Sequence, residues 1–251
     1  MPPLGLRHRA RPAPLLALLL AVASVPLGGA LGCGGDGNGG ASGPTRFRFP
    51  GNDPDGTRFV RDVVFHVDDD GKPADGLISQ IFCTNFEGKG FPQCYGDHDG
   101  SDFLLVGGFP AMDVGSTEVL AAADGVVEVV DDGHYDRCHI SLAALDSGGI
   151  SCDGNPIVPN KVYIRHRDGI VSHYLHLMKD SIVVSEGQKV GCGQKLGMVG
   201  SSGRSSTPHV HFEVHAPDDT LIDPFAGPYS QPESYWVEQV GPFDLPAPTC
   251  Q

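Results

Sequence analysis

His209-Val210-His211-Phe212-Glu213-Val214-His215 alternates imidazole or carboxylate side chains with apolar ones at every step. That period of two fits a β-strand, whose side chains point to opposite faces in turn; a helix would repeat its apolar positions every three or four residues. Such a strand buries Val210, Phe212 and Val214 in a core and presents His209, His211, Glu213 and His215 along a groove. The whole chain agrees with this reading: 35 glycines and 21 prolines among 251 residues separate short alternating runs. Punctuation of that kind favours a mainly β fold over a helical one.

Upstream, His98-Asp99-Gly100-Ser101-Asp102 offers donors of the same chemical type. A hydrolytic zinc ion needs about three nitrogen or carboxylate ligands and one open position. His98, Asp102 and His211 supply such a set, and His209 is left as a proton acceptor or donor beside it, a role suited to imidazole with its unperturbed pKa of about 6.5. A further histidine, His176, lies in the apolar and aromatic run Val171-Ser172-His173-Tyr174-Leu175-His176-Leu177, which suggests a buried, oriented ring. A serine nucleophile in the Ser-rich turn before His209 is a poorer reading, because the chain has no Gly-x-Ser-x-Gly elbow.

The order His-x-Gly-x-Asp, Tyr-x-His-Leu and then a Gly-Ser turn running into Pro-His-x-His-Phe-Glu resembles the lysostaphin-like (LytM-type) zinc endopeptidases of peptidoglycan. Val119-Leu120-Ala121-Ala122-Ala123-Asp124-Gly125-Val126-Val127 and the turn-rich segment from Val183 to Gly197 extend the likeness over residues 96–226. The resemblance implies antiparallel β-sheets forming an open groove, the duplicated hybrid motif. It also implies Zn2+ held by His98, Asp102 and His211, with His176 and His209 catalytic.

Two positions depart from the family pattern. About ten additional residues separate Asp102 from the Val-x-Ala segment, and they contain a rival carboxylate, Asp113. Asp102 is preferred because His98 and Gly100 accompany it at the family spacing, whereas the rival register would leave Phe109 in place of the first histidine. The second departure is Thr207, which stands where the family usually has glycine.

At the N-terminus, Arg7, Arg9 and Arg11 precede the apolar run Leu15 to Ala23, the pattern of a signal peptide over 1–32. The run falls short of the roughly 20 residues that span a bilayer. Ala30-Leu31-Gly32-Cys33 resembles a lipoprotein processing site, so a lipid on Cys33 is expected to tie the protein to a membrane, followed by a Gly-rich tether to residue 45. Residues 46–95 read as an N-terminal leader with strands near Arg46 to Phe49 and Val63 to Val67, and Asp68-Asp69-Asp70-Gly71 as a solvated turn. Residues 227–251 read as a C-terminal tail in which 232–237 form a short helix or strand. Setting Cys33 aside leaves six cysteines; sequence permits many pairings, and proximity favours Cys83 with Cys94 and Cys138 with Cys152, leaving Cys192 for Cys250. Disulfides imply an oxidising compartment.

A formal net charge of −14 argues against a nucleic-acid partner. It also means that any attraction to an anionic cell wall comes from the groove rather than from a basic surface. The expected activity is therefore hydrolysis of peptide bonds in peptidoglycan stems or cross-bridges by an exported envelope protein. Two alternatives stay open: a non-catalytic peptidoglycan-binding or hydrolase-activating module of the same fold, and a zinc peptidase acting on proteins.

Overall fold

A computed structural model describes residues 43–72, 81–115, 117–147, 149–241 and 244–251. The expected signal peptide, Cys33 and most of the tether lie outside them. All described residues belong to the compact unit Ala41–Gln251, and no helix among them is long and apolar enough to cross a membrane.

The strand expected from the alternating heptad is β11 (His209–His215). It sits inside an eight-stranded sheet between β2 (Ser101–Leu105) and β8 (Val171–Leu175). Beyond β2 lies β1 (Phe59–Phe65); beyond β8 come β7 (Lys161–Arg165), β4 (Gly125–Asp131) and β9 (Lys189–Val190), and β12 (Leu221–Ile222) pairs with the end of β11. Every pairing is antiparallel. Two small antiparallel pairs complete the set: β3 (Glu118–Leu120) with β10 (Lys195–Met198), and β5 (His139–Ile140) with β6 (Ile150–Ser151). The fold is thus mainly antiparallel β, as expected.

Alternation decides what each face of β11 does. Val210, Phe212 and Val214 are wholly buried, and the Phe212 ring packs against Phe47, Tyr174 and Trp236 at centroid distances of 5.5, 5.3 and 5.4 Å. Truncating an aromatic in such a packed site removes both its transfer free energy and its contacts, so Phe212→Ala should cost about 3–5 kcal/mol, read as a lower denaturant midpoint. Tyr174 ties the layers together further, its hydroxyl accepting from the Ala122 amide at 2.8 Å.

The segment expected as a leader contributes directly to this unit. β1 pairs with β2, and Phe47, Phe49 and Phe59 are buried in the main core. Arg46 to Phe49 does not form the expected strand: Phe47, Arg48 and Phe49 donate their amides to Tyr235, Ala122 and Ala247, three unrelated carbonyls, so no ladder with one partner can form. Residues 232–237 make neither a helix nor a named strand, but Trp236 bridges to Phe47 and is buried. Three disulfides join Cys83 to Cys94, Cys138 to Cys152 and Cys192 to Cys250, matching the proximity argument.

The aspartate turn is only partly solvated. The Asp68 carboxylate accepts the amides of Asp70, Thr84 and Asp97, and the Asp69 carboxyl reaches Asp223. Oδ2 of each member of that pair meets no donor among the described residues, so the contact is satisfied when one carboxyl is protonated. Burial raises both: Asp69 rises to about 6, despite the hydrogen bond, and Asp223 is pushed well above its usual range by burial and by the Asp69 charge. A carboxyl raised by folding contributes stability that is whole below its unfolded pKa and is lost as pH rises through the folded value. Asp223→Asn should therefore stabilise the protein at pH 8, by on the order of 1 kcal/mol after allowing for the partial exposure of Asp69, and do little at pH 3, below the unfolded carboxyl value of about 3.9. Thermal unfolding at the two pH values checks this.

Candidate metal centre

Register brings the predicted donors together. On β11, His211 lies directly across from Asp102 on β2 and from Leu175 on β8, and His176 follows Leu175 at once. His176 itself has φ of 66°, a left-handed conformation that non-glycine residues seldom adopt outside functional sites and turns. That backbone turn takes its ring out of the β8 alternation. His98 precedes β2 and approaches from the side of the aspartate turn, its carbonyl accepting the Asp68 amide.

Three histidines converge on one carboxylate oxygen. Asp102 Oδ1 is 3.2 Å from His98 Nε2, 2.8 Å from His211 Nδ1 and 3.3 Å from His209 Nε2. His98 Nε2 and His211 Nδ1 are themselves 3.3 Å apart. His176 closes the group, with ring centroids 4.6 Å from His209 and 5.4 Å from His211. All five residues are buried.

The outward-facing ring atoms are fixed by backbone carbonyls. Nδ1 of His98, His176 and His209 donates to the carbonyls of His66, Ser202 and Thr207 at 2.7, 2.6 and 2.7 Å. Each bond sets the tautomer and leaves Nε2 as a bare lone pair aimed at the centre, the arrangement behind metal-ligating and proton-accepting histidines. His211 presents Nδ1 instead, its Nε2 being held by Glu213 Oε1 at 2.9 Å. His98, Asp102 and His211 form one set able to hold a metal ion, and His176, His209 and His211 form another that shares His211.

Charge is distributed accordingly. Burial alone would raise the Asp102 carboxyl, but the neighbouring histidines hold it well below the usual carboxylate range. Burial would lower His211, yet hydrogen bonds to Asp102 and Glu213 raise it to about 10. His176 is held well below its ordinary value by burial and by His209 and His211, so its ring is neutral at pH 7. A cation entering beside His211 must displace that proton, so metal uptake should release a proton and weaken as pH falls.

Gly100 explains the small residue in His-x-Gly-x-Asp. A Cβ there would lie 2.6 Å from His211 Nε2 and 2.8 Å from the Phe212 carbonyl, and the carbonyl cannot move away. Gly100→Ala should displace His211 and lower metal affinity by roughly 10–100-fold, the loss typical of disturbing a ligand's support. Competition with a chromophoric chelator measures it.

Asp113 stays away from the centre. The extra residues continue β2 and form α1 (Gly108–Val114), where Asp113 is exposed and pairs with Arg137. Thr207 acts through its carbonyl, which holds His209. Ser205 does contact His209 Nδ1, at 3.3 Å, but its buried hydroxyl is engaged with Ser201 and the Thr207 carbonyl and points at no open surface. One participant escaped sequence reading. Tyr95 stacks on His98 at 4.1 Å and donates to Asp102 Oδ2 at 3.1 Å, and its position three residues before His98 carries no periodic signal.

Residues 98–224 match the sequence profile described as Peptidase family M23. Over 117 residues, 47% of the chain, the sequence is 33% identical to a protein named peptidoglycan DD-endopeptidase ShyA from Vibrio cholerae, of which that match covers 20%. Over 76 residues, 30% of the chain, it is 37% identical to the murein hydrolase activator NlpD of Escherichia coli, covering 19% of that protein. Among solved structures it is similar to the catalytic domain of the M23 protein EnpA from Enterococcus faecalis, with 29% identity, TM-score 0.36 and coverage of 56% of this chain and 85% of that one. The chain matches about a fifth of the length of these curated relatives.

Proposed function

This chain belongs to peptidase family M23, and from that premise we propose that it is a zinc-dependent endopeptidase of bacterial peptidoglycan. The observation that carries the reading is the convergence of His98 Nε2, His211 Nδ1 and His209 Nε2 on Asp102 Oδ1, each within 3.3 Å. Two imidazole nitrogens and one carboxylate oxygen, with the remaining ring nitrogens anchored, fit the three-ligand set of a catalytic zinc site. In this reading His98, Asp102 and His211 hold the ion, which when bound supplies Lewis acidity toward a carbonyl and lowers the pKa of water.

The chain's own residues do the rest. His209, its Nδ1–H committed to the Thr207 carbonyl, takes a proton from the attacking water at Nε2 and returns it to the leaving amine. His176, kept neutral by burial and held through Nδ1 by Ser202, orients that water. Catalysis belongs to residues 96–226, with 46–95 and 227–251 flanking them in the same unit. Peptidoglycan lies outside the cytoplasmic membrane, so the protein is exported, in keeping with three disulfides, and a lipid on Cys33 would anchor it to the cell envelope.

A second reading, a hydrolase-activating module, is favoured by the likeness to a protein named as a murein hydrolase activator. Mass spectrometry of peptidoglycan incubated with the zinc-loaded protein separates the two. New fragments that vanish with chelator support the peptidase and identify the bond; peptidoglycan binding without fragments supports the activator. Release of peptides from casein but not from peptidoglycan would assign the enzyme to protein substrates instead.

A further inference from the structure

A second group of metal-type donors lies one step farther along the same stripe of β11. Antiparallel pairing sets Glu213 directly across from His173 on β8, and His215 follows Glu213 by two residues, on the same face. Glu213 Oε2 meets His173 Nδ1 at 2.8 Å and His215 Nε2 at 2.8 Å. The donor atoms of the three residues lie within 4.8 Å of one another.

The surroundings of this group are those of a built site. His215 Nδ1 is 3.3 Å from Asp219 Oδ1, a carboxylate behind the ring of the kind that orients metal-ligating histidines and raises their basicity. The Tyr163 ring stacks on His173 at 3.6 Å and fixes its plane. Oε1 of Glu213 serves His211, so the oxygen facing His173 and His215 is not shared with the first centre. The side chains of His173, Glu213 and His215 keep 12, 13 and 15% exposure, which leaves an open side for water.

We infer that His173, Glu213 and His215 form a second site for a divalent transition-metal ion, adjacent to the centre of His98, Asp102 and His211. Two imidazoles and one carboxylate with an open position suit zinc, and magnesium and calcium do not favour so nitrogen-rich a donor set. The site stands on its own geometry and does not depend on the peptidase reading.

The test is metal content. The purified full chain is stripped with chelator, loaded with zinc, desalted and analysed by elemental mass spectrometry, beside His215→Ala, His173→Asn and His98→Ala, each checked for the wild-type circular dichroism spectrum. The expected result is about two zinc ions in wild type, with one lost in His215→Ala and in His173→Asn and the other lost in His98→Ala. One ion in wild type that His215→Ala retains overturns the second site and leaves the first intact, and two ions that His215→Ala retains also overturn it. One ion lost in His215→Ala but kept in His98→Ala upholds the second site and defeats the first. No ion in wild type defeats both.

Discussion

Asp102→Asn protein should lose the zinc ion held by His98, Asp102 and His211 and release no fragments from peptidoglycan. The substitution keeps the shape of the side chain and the hydrogen bond from the Tyr95 hydroxyl, which ends 3.1 Å away on Oδ2. It removes the charge on which His98, His209 and His211 converge. Buried and ionised at neutral pH, this carboxylate is the one member of the proposed ligand set that brings a negative charge to an entering cation. Losing a supporting partner costs roughly 10–100-fold in metal affinity, and losing a direct ligand should cost more. Zinc content by elemental analysis and fragment release by mass spectrometry are the paired readouts. Asp113→Asn is the control, since Asp113 is exposed on α1 and pairs with Arg137. If the Asp102 variant kept the full wild-type zinc content while the Asp113 variant lost an ion, the rival register would be correct and the proposed centre wrong.

The parts of this fold that sequence made legible are those governed by local period. Alternation across His209 to His215 predicts both the strand and its two faces, because a pleated strand leaves no freedom in which side a residue takes. Cysteine proximity likewise pairs correctly where the loops are short. What stayed hidden was set by tertiary partners. Arg46 to Phe49 has a strand-like composition, yet its amides go to three separate carbonyls. Asp68 to Asp70 looks like a solvent turn, yet its carboxylates collect amides from distant segments and meet Asp223. Tyr95 stood outside any motif, and only the fold shows that its ring covers His98. The insertion after Asp102 was visible as extra length, but its division into a longer β2 and the helix α1 is a consequence of packing that no local pattern encodes.

His209→Ala should separate metal binding from turnover. Zinc content should stay at the wild-type level, because His98, Asp102 and His211 remain and His98 and His211 have anchors of their own. The rate should fall by roughly 10²–10⁴, the usual contribution of a positioned acid or base. That loss should appear in kcat rather than KM, since the Nε2 lone pair acts on a proton in flight and not on the bound peptide. The steric change is modest: Ser205 and the Thr207 carbonyl lose one hydrogen-bond partner but still bond to each other at 2.9 Å. His176→Ala provides the contrast. His176 occupies a left-handed backbone position and is anchored to the Ser202 carbonyl, so its removal loosens the orientation of the water while leaving His209 free to move the proton. Its rate loss should therefore be the smaller of the two. Equal activity of His209→Ala and wild type at full zinc content would remove His209 from the chemistry and shift the weight to His176. Loss of zinc in His209→Ala would instead make His209 a ligand, consistent with the alternative donor set of His176, His209 and His211.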